Sequence, residues 1–88
     1  VGQGAAYLTF DIDAVDPAFA PGTGTPVAGG LSSAQALQMV WAIRDLDFRG
    51  MDIVEVSPPY DHADATAIAG AAVAQHYIQA LALKKVAR

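Results

Sequence analysis

The amino-acid sequence predicts an α/β fold in which two parallel strands are joined by a helical crossover. Three observations carry that prediction. Residues 5–10 and 51–56 are short apolar runs of strand length and composition. Each is followed, at some distance, by a segment with helical character. The order strand, helix, strand, helix calls for a parallel pair linked by a right-handed crossover.

The elements follow in order. Residues 5–10, Ala-Ala-Tyr-Leu-Thr-Phe, read as a buried strand preceded by Gly2 and Gly4. Residues 11–30 read as a loop. They hold Pro17, Pro21 and Pro26 with Gly22, Gly24, Gly29 and Gly30. Long connections in compact domains are usually functional or disordered, and the prolines and acidic residues favour function. A helix is expected from Ser32, because Ser32 and Gln35 have capping-box spacing. Leu37, Val40 and Trp41 recur on one side of it and read as core, with Arg44 on the other side. It is expected to end near 46–48, with Gly50 as punctuation. Residues 51–56 form the second expected strand, stopped by Pro58 and Pro59. A second helix is expected over about 64–83, capped by Asp64, with Lys84 and Lys85 at the negative end of its dipole. Alanines lie all round it, which predicts burial on more than one side.

Composition narrows the function classes. The chain has 88 residues, 53% of them hydrophobic, with a mean hydropathy of +0.31. A chain of this length buries only roughly 60–65% of its unfolded surface, so that apolar content suits a piece of a larger globular protein. The other reading is a complete small domain that dimerises through its apolar surplus. Five basic residues against nine acidic ones give a net charge of −4 and no basic patch, which argues against nucleic acid. Three of the five, Lys84, Lys85 and Arg88, sit at the C-terminal end. Cysteine is absent, so disulfides and thiolate metal sites are excluded. No apolar run has membrane-spanning length. No signal peptide is visible, and the expected location is cytoplasmic.

Ligands of open parallel sheets bind at the carboxyl ends of the strands. Asp11, Asp13 and Glu55 fall there. In an extended segment residues i and i+2 share a side, so Asp11 and Asp13 would aim at one point while Ile12 packs inward. Two neighbouring carboxylates repel unless a cation compensates, and hard divalent ions prefer such oxygens. Taken alone, the pair could equally cap turns. Glu55 alone reads as an ion-paired structural acid. Asp16, before Pro17, reads as a turn-former. Gly22, Gly24 and Thr25 lack the following Lys-Ser/Thr of a phosphate loop, so a nucleotide site is rejected. His76 reads as a packed or surface helix residue. His62 lies in the loop after Glu55 and could border a site.

The longer pattern decides among these readings. Asp11-Ile-Asp-Ala-Val-Asp16-Pro17-Ala-Phe-Ala-Pro21-Gly22-Thr23-Gly24-Thr25-Pro26 resembles the third signature of the arginase–agmatinase, or ureohydrolase, family. The likeness continues through Gly29-Gly30-Leu31 and resumes at Asp52-Ile-Val-Glu55-Val-Ser57-Pro58, covering essentially the whole chain. The resemblance implies a three-layer αβα parallel-sheet fold, with residues 1–88 as the C-terminal part of a single ureohydrolase domain. It implies two Mn²⁺ ions sharing a hydroxide, with Asp11 and Asp13 among their ligands and Glu55 holding a substrate guanidinium. The implied reaction is hydrolysis of a guanidino compound to urea and an amine, by a homo-oligomer, trimer or hexamer, that uses neither nucleic acid nor membrane. The stretch from Glu55 to Asp64 is more similar to the agmatinase and guanidinobutyrase branch than to arginase, where Asn commonly stands in place of Ser57. Family members also carry Gly-Gly-Asp-His and His-x-Asp-Ala-His-x-Asp segments that supply the remaining ligands, and neither occurs here. No catalytic residue is therefore assigned within this chain, which alone is expected to be inactive. The rival expectation is a non-catalytic ureohydrolase-like module acting through protein interaction.

Overall fold

The computed structural model describes residues 4–87, without side-chain detail at 86 and 87; Gly2 and Arg88 lie outside that range. Its elements are β1 (Ala5–Asp11), α1 (Ser33–Ala42), β2 (Asp47–Val54) and α2 (Ala65–Ala87). The strands are parallel and neighbours, as the crossover argument requires. Asp11 pairs with Val54, so both strands end at the same edge.

The sheet is covered on one face. Leu8 and Phe10 of β1 and Phe48, Met51 and Ile53 of β2 pack against Val40 of α1 and Val73 and Tyr77 of α2. The Phe48 and Tyr77 rings meet edge to face at 5.8 Å. A second apolar cluster of Ile12, Val15, Ala20 and Ala36 lies beneath the loop after β1, with Phe10, Val56 and Ala69 against it. The strands are thus not buried on both sides, as their composition suggested. Tyr7, Thr9 and Asp11 alternate outward and are exposed, and Tyr7 and Thr9 both donate hydroxyl hydrogen bonds to Asp52. Period-two alternation in β1 is hidden in the sequence because the outward positions include a tyrosine.

β2 starts four residues before the expected 51. Gly50 is inside the strand rather than ahead of it. The register slips between Ala6 and Tyr7, which pair with Phe48 and Gly50. A Cβ at Gly50 would stand 2.9 Å from the Tyr7 ring. Glycine is there for close approach across the ladder.

The capping box at Ser32 and Gln35 is present in both directions, with hydrogen bonds of 3.1 and 2.9 Å. α1 nevertheless ends at Ala42, earlier than its pattern predicts. Ile43 leaves helical geometry and Arg44 N donates to Trp41 O in a tighter i−3 turn. The early start of β2 leaves no room for further helix. Trp41 is only half-buried and is not part of the apolar core. The Arg44 guanidinium lies 4.7 Å from its ring centroid. Leu37 does pack on the core.

α2 departs from expectation at its start. Asp64 has a positive φ of 60° and does not cap the helix with its side chain. Asp61 does so instead: its carboxylate accepts from Thr66 N at 3.0 Å and Ala67 N at 3.2 Å. One face of α2, through Thr66, Gly70, Val73, Tyr77 and Ala80, is buried. The opposite face is open, with Ile68 64% and Ile78 62% exposed, so burial on several sides is not met within this chain. At the far end the Lys84 ammonium donates to Leu46 O, tying α2 to the turn before β2. Among the described residues no helix is long and apolar enough to cross a membrane.

Candidate metal centre

Asp11 and Asp13 reach the carboxyl edge of the sheet by a different route from the one their spacing suggested. Asp11 is the last residue of β1, and Ile12–Ala14 then forms a 3-10 turn. Asp13 is therefore not extended. The Asp11 carboxylate accepts from Asp13 N at 3.1 Å and caps that turn. Ile12 is fully buried, as expected. The turn is driven by burying Ile12 while both carboxylates stay at the surface.

Asp13 has a second restraint that the sequence did not disclose. Thr25 Oγ1 donates to its Oδ2 at 2.7 Å, across twelve residues of loop. Among the described residues, Asp11 Oδ2 and Asp13 Oδ1 take no hydrogen bond, which leaves one carboxylate oxygen on each for another partner. This is a hard-oxygen donor set suited to Mn²⁺, Mg²⁺ or Ca²⁺. It fits part of one coordination shell. No three His, Cys, Asp or Glu side chains among the described residues come together to hold an ion.

Glu55 lies one residue past Val54, the register partner of Asp11. It is beyond β2, not within a strand as the sequence suggested, and Val56 is outside the strand too. Its φ is +70°, in the left-handed region that costs a non-glycine residue free energy. Strain of this kind collects at functional positions. Glu55 is exposed, as is Asp11.

The loop that frames this edge is ordered by Asp16. Its carboxylate accepts from Ala18 N and Gly29 N, both at 2.9 Å, and these bonds hold its pKa below the ordinary value against partial desolvation. Asp16 is a turn-former, closing the start of the loop on its end. Backbone bonds Asp16 N to Leu31 O (2.7 Å) and Leu31 N to Ala14 O (2.9 Å) complete the closure. A Cβ at Gly30 would sit 2.8 Å from Ala14 O, so glycine permits that approach.

Gly22 does the same at a second junction. Its N–H donates to the Thr66 hydroxyl and its carbonyl accepts from Ser57 N, both at 2.6 Å. Desolvation pushes the Asp61 pKa up, but hydrogen bonds from Thr66, His62 and Ala67 outweigh it and lower it to about 2. Asp61 and Thr66 were not read from the sequence as part of this edge. Asp61 reaches helix amides five and six residues on, outside ordinary capping spacing, because Ala63 and Asp64 both take positive φ.

The histidines add little. His62 is exposed, and its backbone N–H donates to Asp61. His76 bonds through Nδ1 to Ala72 O of its own helix at 3.0 Å. An open cavity of about 470 Å³ lies at the other end of the sheet, against Asp47, Phe48, Arg49, Ile78 and Lys84, away from Asp11, Asp13 and Glu55.

Comparisons with known proteins identify the family and the fold. The arginase family profile matches residues 1–79. An agmatinase from Neisseria meningitidis serogroup C is 56% identical over 85 residues, and one from Proteus mirabilis is 58% identical over the same span. Each alignment takes 97% of this chain but 28% of the relative, so the chain spans little more than a quarter of their length. The crystal structure of a hypothetical agmatinase from Burkholderia thailandensis superimposes with a TM-score of 0.94 at 56% identity, over 100% of this chain and 28% of that one. An arginase from Bacillus caldovelox superimposes with a TM-score of 0.79 at 31% identity, over 84% of this chain and 25% of that one. The two strands and two helices are therefore a portion of the α/β ureohydrolase fold, and the chain belongs to the arginase family.

Proposed function

We propose that this chain forms the C-terminal part, residues 1–88, of the single domain of an agmatinase-like ureohydrolase, which hydrolyses a guanidino compound to urea and an amine. The observation that carries this reading is the strand register. It places Asp11 opposite Val54, and so brings the Asp11–Asp13 turn and Glu55 to one edge. Asp11 and Asp13 each offer a carboxylate oxygen to metal, with Thr25 and the Asp13 amide orienting the pair. Glu55 pairs with the planar guanidinium of the substrate through charge-assisted hydrogen bonds. Its fixed left-handed backbone restricts where that carboxylate can point. Two Mn²⁺ ions, when bound, supply Lewis-acid polarisation and lower the pKa of water to a value useful at neutral pH. Two carboxylates are too few for two such ions, so the 88-residue chain alone binds Mn²⁺ weakly and turns over no guanidine.

The agmatinase branch is supported by identity, 56–58% to agmatinases against 31% to the Bacillus caldovelox arginase. The basic residues also favour it. Arg44 lies in the turn after α1, Arg49 lies early in β2, and Lys84 and Lys85 lie late in α2, all at the end of the fold away from Glu55. None of these is placed to receive an anionic substrate tail. The full-length protein is a cytoplasmic homo-oligomer, trimer or hexamer, in this reading.

Urea release by the full-length protein with Mn²⁺ tests it, comparing agmatine, 4-guanidinobutyrate and arginine. Turnover of agmatine ahead of arginine is expected. Release of urea from none of the three would overturn the proposal. Micromolar Mn²⁺ binding by the isolated 88-residue chain in calorimetry would refute the statement about the chain alone.

A further inference from the structure

We infer that Thr66 is a positioning residue for this edge, acting through the backbone of Gly22. The inference rests on the ureohydrolase reading of Asp13 and Glu55. Thr66 is 0% exposed, at the start of α2, and far in sequence from Asp13. Its hydroxyl accepts from Gly22 N at 2.6 Å, and its backbone N–H donates to the Asp61 carboxylate at 3.0 Å.

Gly22 stands between the two halves of the site. Three residues on, Thr25 braces Asp13 at 2.7 Å. On its carbonyl side it accepts from Ser57 N at 2.6 Å, two residues after Glu55. One residue's backbone thus ties the arm behind the metal carboxylate to the segment that carries the guanidinium carboxylate. There is no slack in the joint. A Cβ at Gly22 would lie 2.7 Å from Asp61 Cβ and 2.8 Å from Thr66 Oγ1. A group that only filled space could be replaced by a methyl. The Thr66 oxygen cannot, because the buried Gly22 N–H would lose its acceptor.

Thr66→Val and Thr66→Ser in the full-length protein test this, with Mn²⁺ affinity, KM and kcat for agmatine, and amide exchange at Gly22 and Ser57 as readouts. Thr66→Val should speed exchange at both amides and weaken Mn²⁺ roughly tenfold, the scale seen when the support of a metal ligand is lost. KM should rise and kcat/KM fall by roughly 10- to 100-fold, the scale of a small misplacement at a site. Thr66→Ser, which keeps the oxygen, should restore all of these. A Thr66→Val protein with lower thermal stability but unchanged Mn²⁺ affinity and KM would overturn the inference. Should Thr66→Val fail to fold, Asp61→Asn keeps the shape and weakens the carboxylate's hold on the Thr66 backbone N–H. The same changes, smaller, are then expected, and their absence would overturn the inference. If the wild-type protein releases no urea, the functional reading fails. Mn²⁺ affinity and amide exchange then decide the positioning role by themselves.

Discussion

Replacing Gly30 by alanine should destabilise the fold and loosen the Asp13 turn together. The new methyl would stand 2.8 Å from Ala14 O and Asp16 N and 3.1 Å from Asp16 Cα. These are backbone atoms that cannot rotate away, and ordinary contact needs over half an ångström more. Overpacking of this kind costs about 1–3 kcal/mol. The two backbone hydrogen bonds beside it, Asp16 N to Leu31 O and Leu31 N to Ala14 O, contribute about 1 kcal/mol each and would stretch. The expected loss is therefore about 2–4 kcal/mol, read from denaturant unfolding of the full-length protein with metal removed. Gly24→Ala is the control. Nothing lies within 4 Å of a Cβ there, so it should change stability by less than about 0.5 kcal/mol. Because Ala14 adjoins Asp13, Gly30→Ala should also weaken Mn²⁺ binding, and Gly24→Ala should not. Equal stability of the two variants would refute the close-approach argument.

Asp13→Ala removes a proposed metal ligand and should abolish Mn²⁺-dependent urea release; wild-type turnover would take Asp13 out of the site. Glu55→Gln keeps the shape but loses the charge that faces the guanidinium, so KM for agmatine should rise by roughly tenfold or more while Mn²⁺ affinity holds. Weakened Mn²⁺ binding with unchanged KM would place Glu55 on the metal instead. For Asp61 the folded pKa of about 2 lies below the ordinary 3.8, so its contribution to stability is complete above about pH 4 and is lost as pH falls towards 2. The difference in melting temperature between wild type and Asp61→Asn should shrink across that window, and a difference constant down to pH 2 would contradict the assignment.

Much of the fold was legible because its signals are local. The capping box at Ser32 involves two residues three apart, and the end of the apolar run at Asp11 needs no partner to be read. The element limits that failed did so through distant neighbours. Gly50 looks like a break until Tyr7 is laid across it. Trp41 looks like core until β2 begins early and Arg44 turns back over its ring. Asp64 looks like a cap until two left-handed residues carry Asp61 under the helix instead.

The candidate site divides in the same way. Residue identity determined by itself that carboxylates stand at the ends of two strands, and the long loop pattern determined the family, because both are properties of consecutive residues. Only the tertiary structure decided that Asp11 and Asp13 meet through a 3-10 turn, that Thr25 holds Asp13, and that Glu55 is forced into left-handed backbone. It also decided that Gly22 ties the loop to Ser57 and Thr66. The contacts of Thr25 and Gly22 join residues twelve to forty-four positions apart. Their free energy depends on burial and register, which exist only once the strands have paired and α2 has closed over the loop.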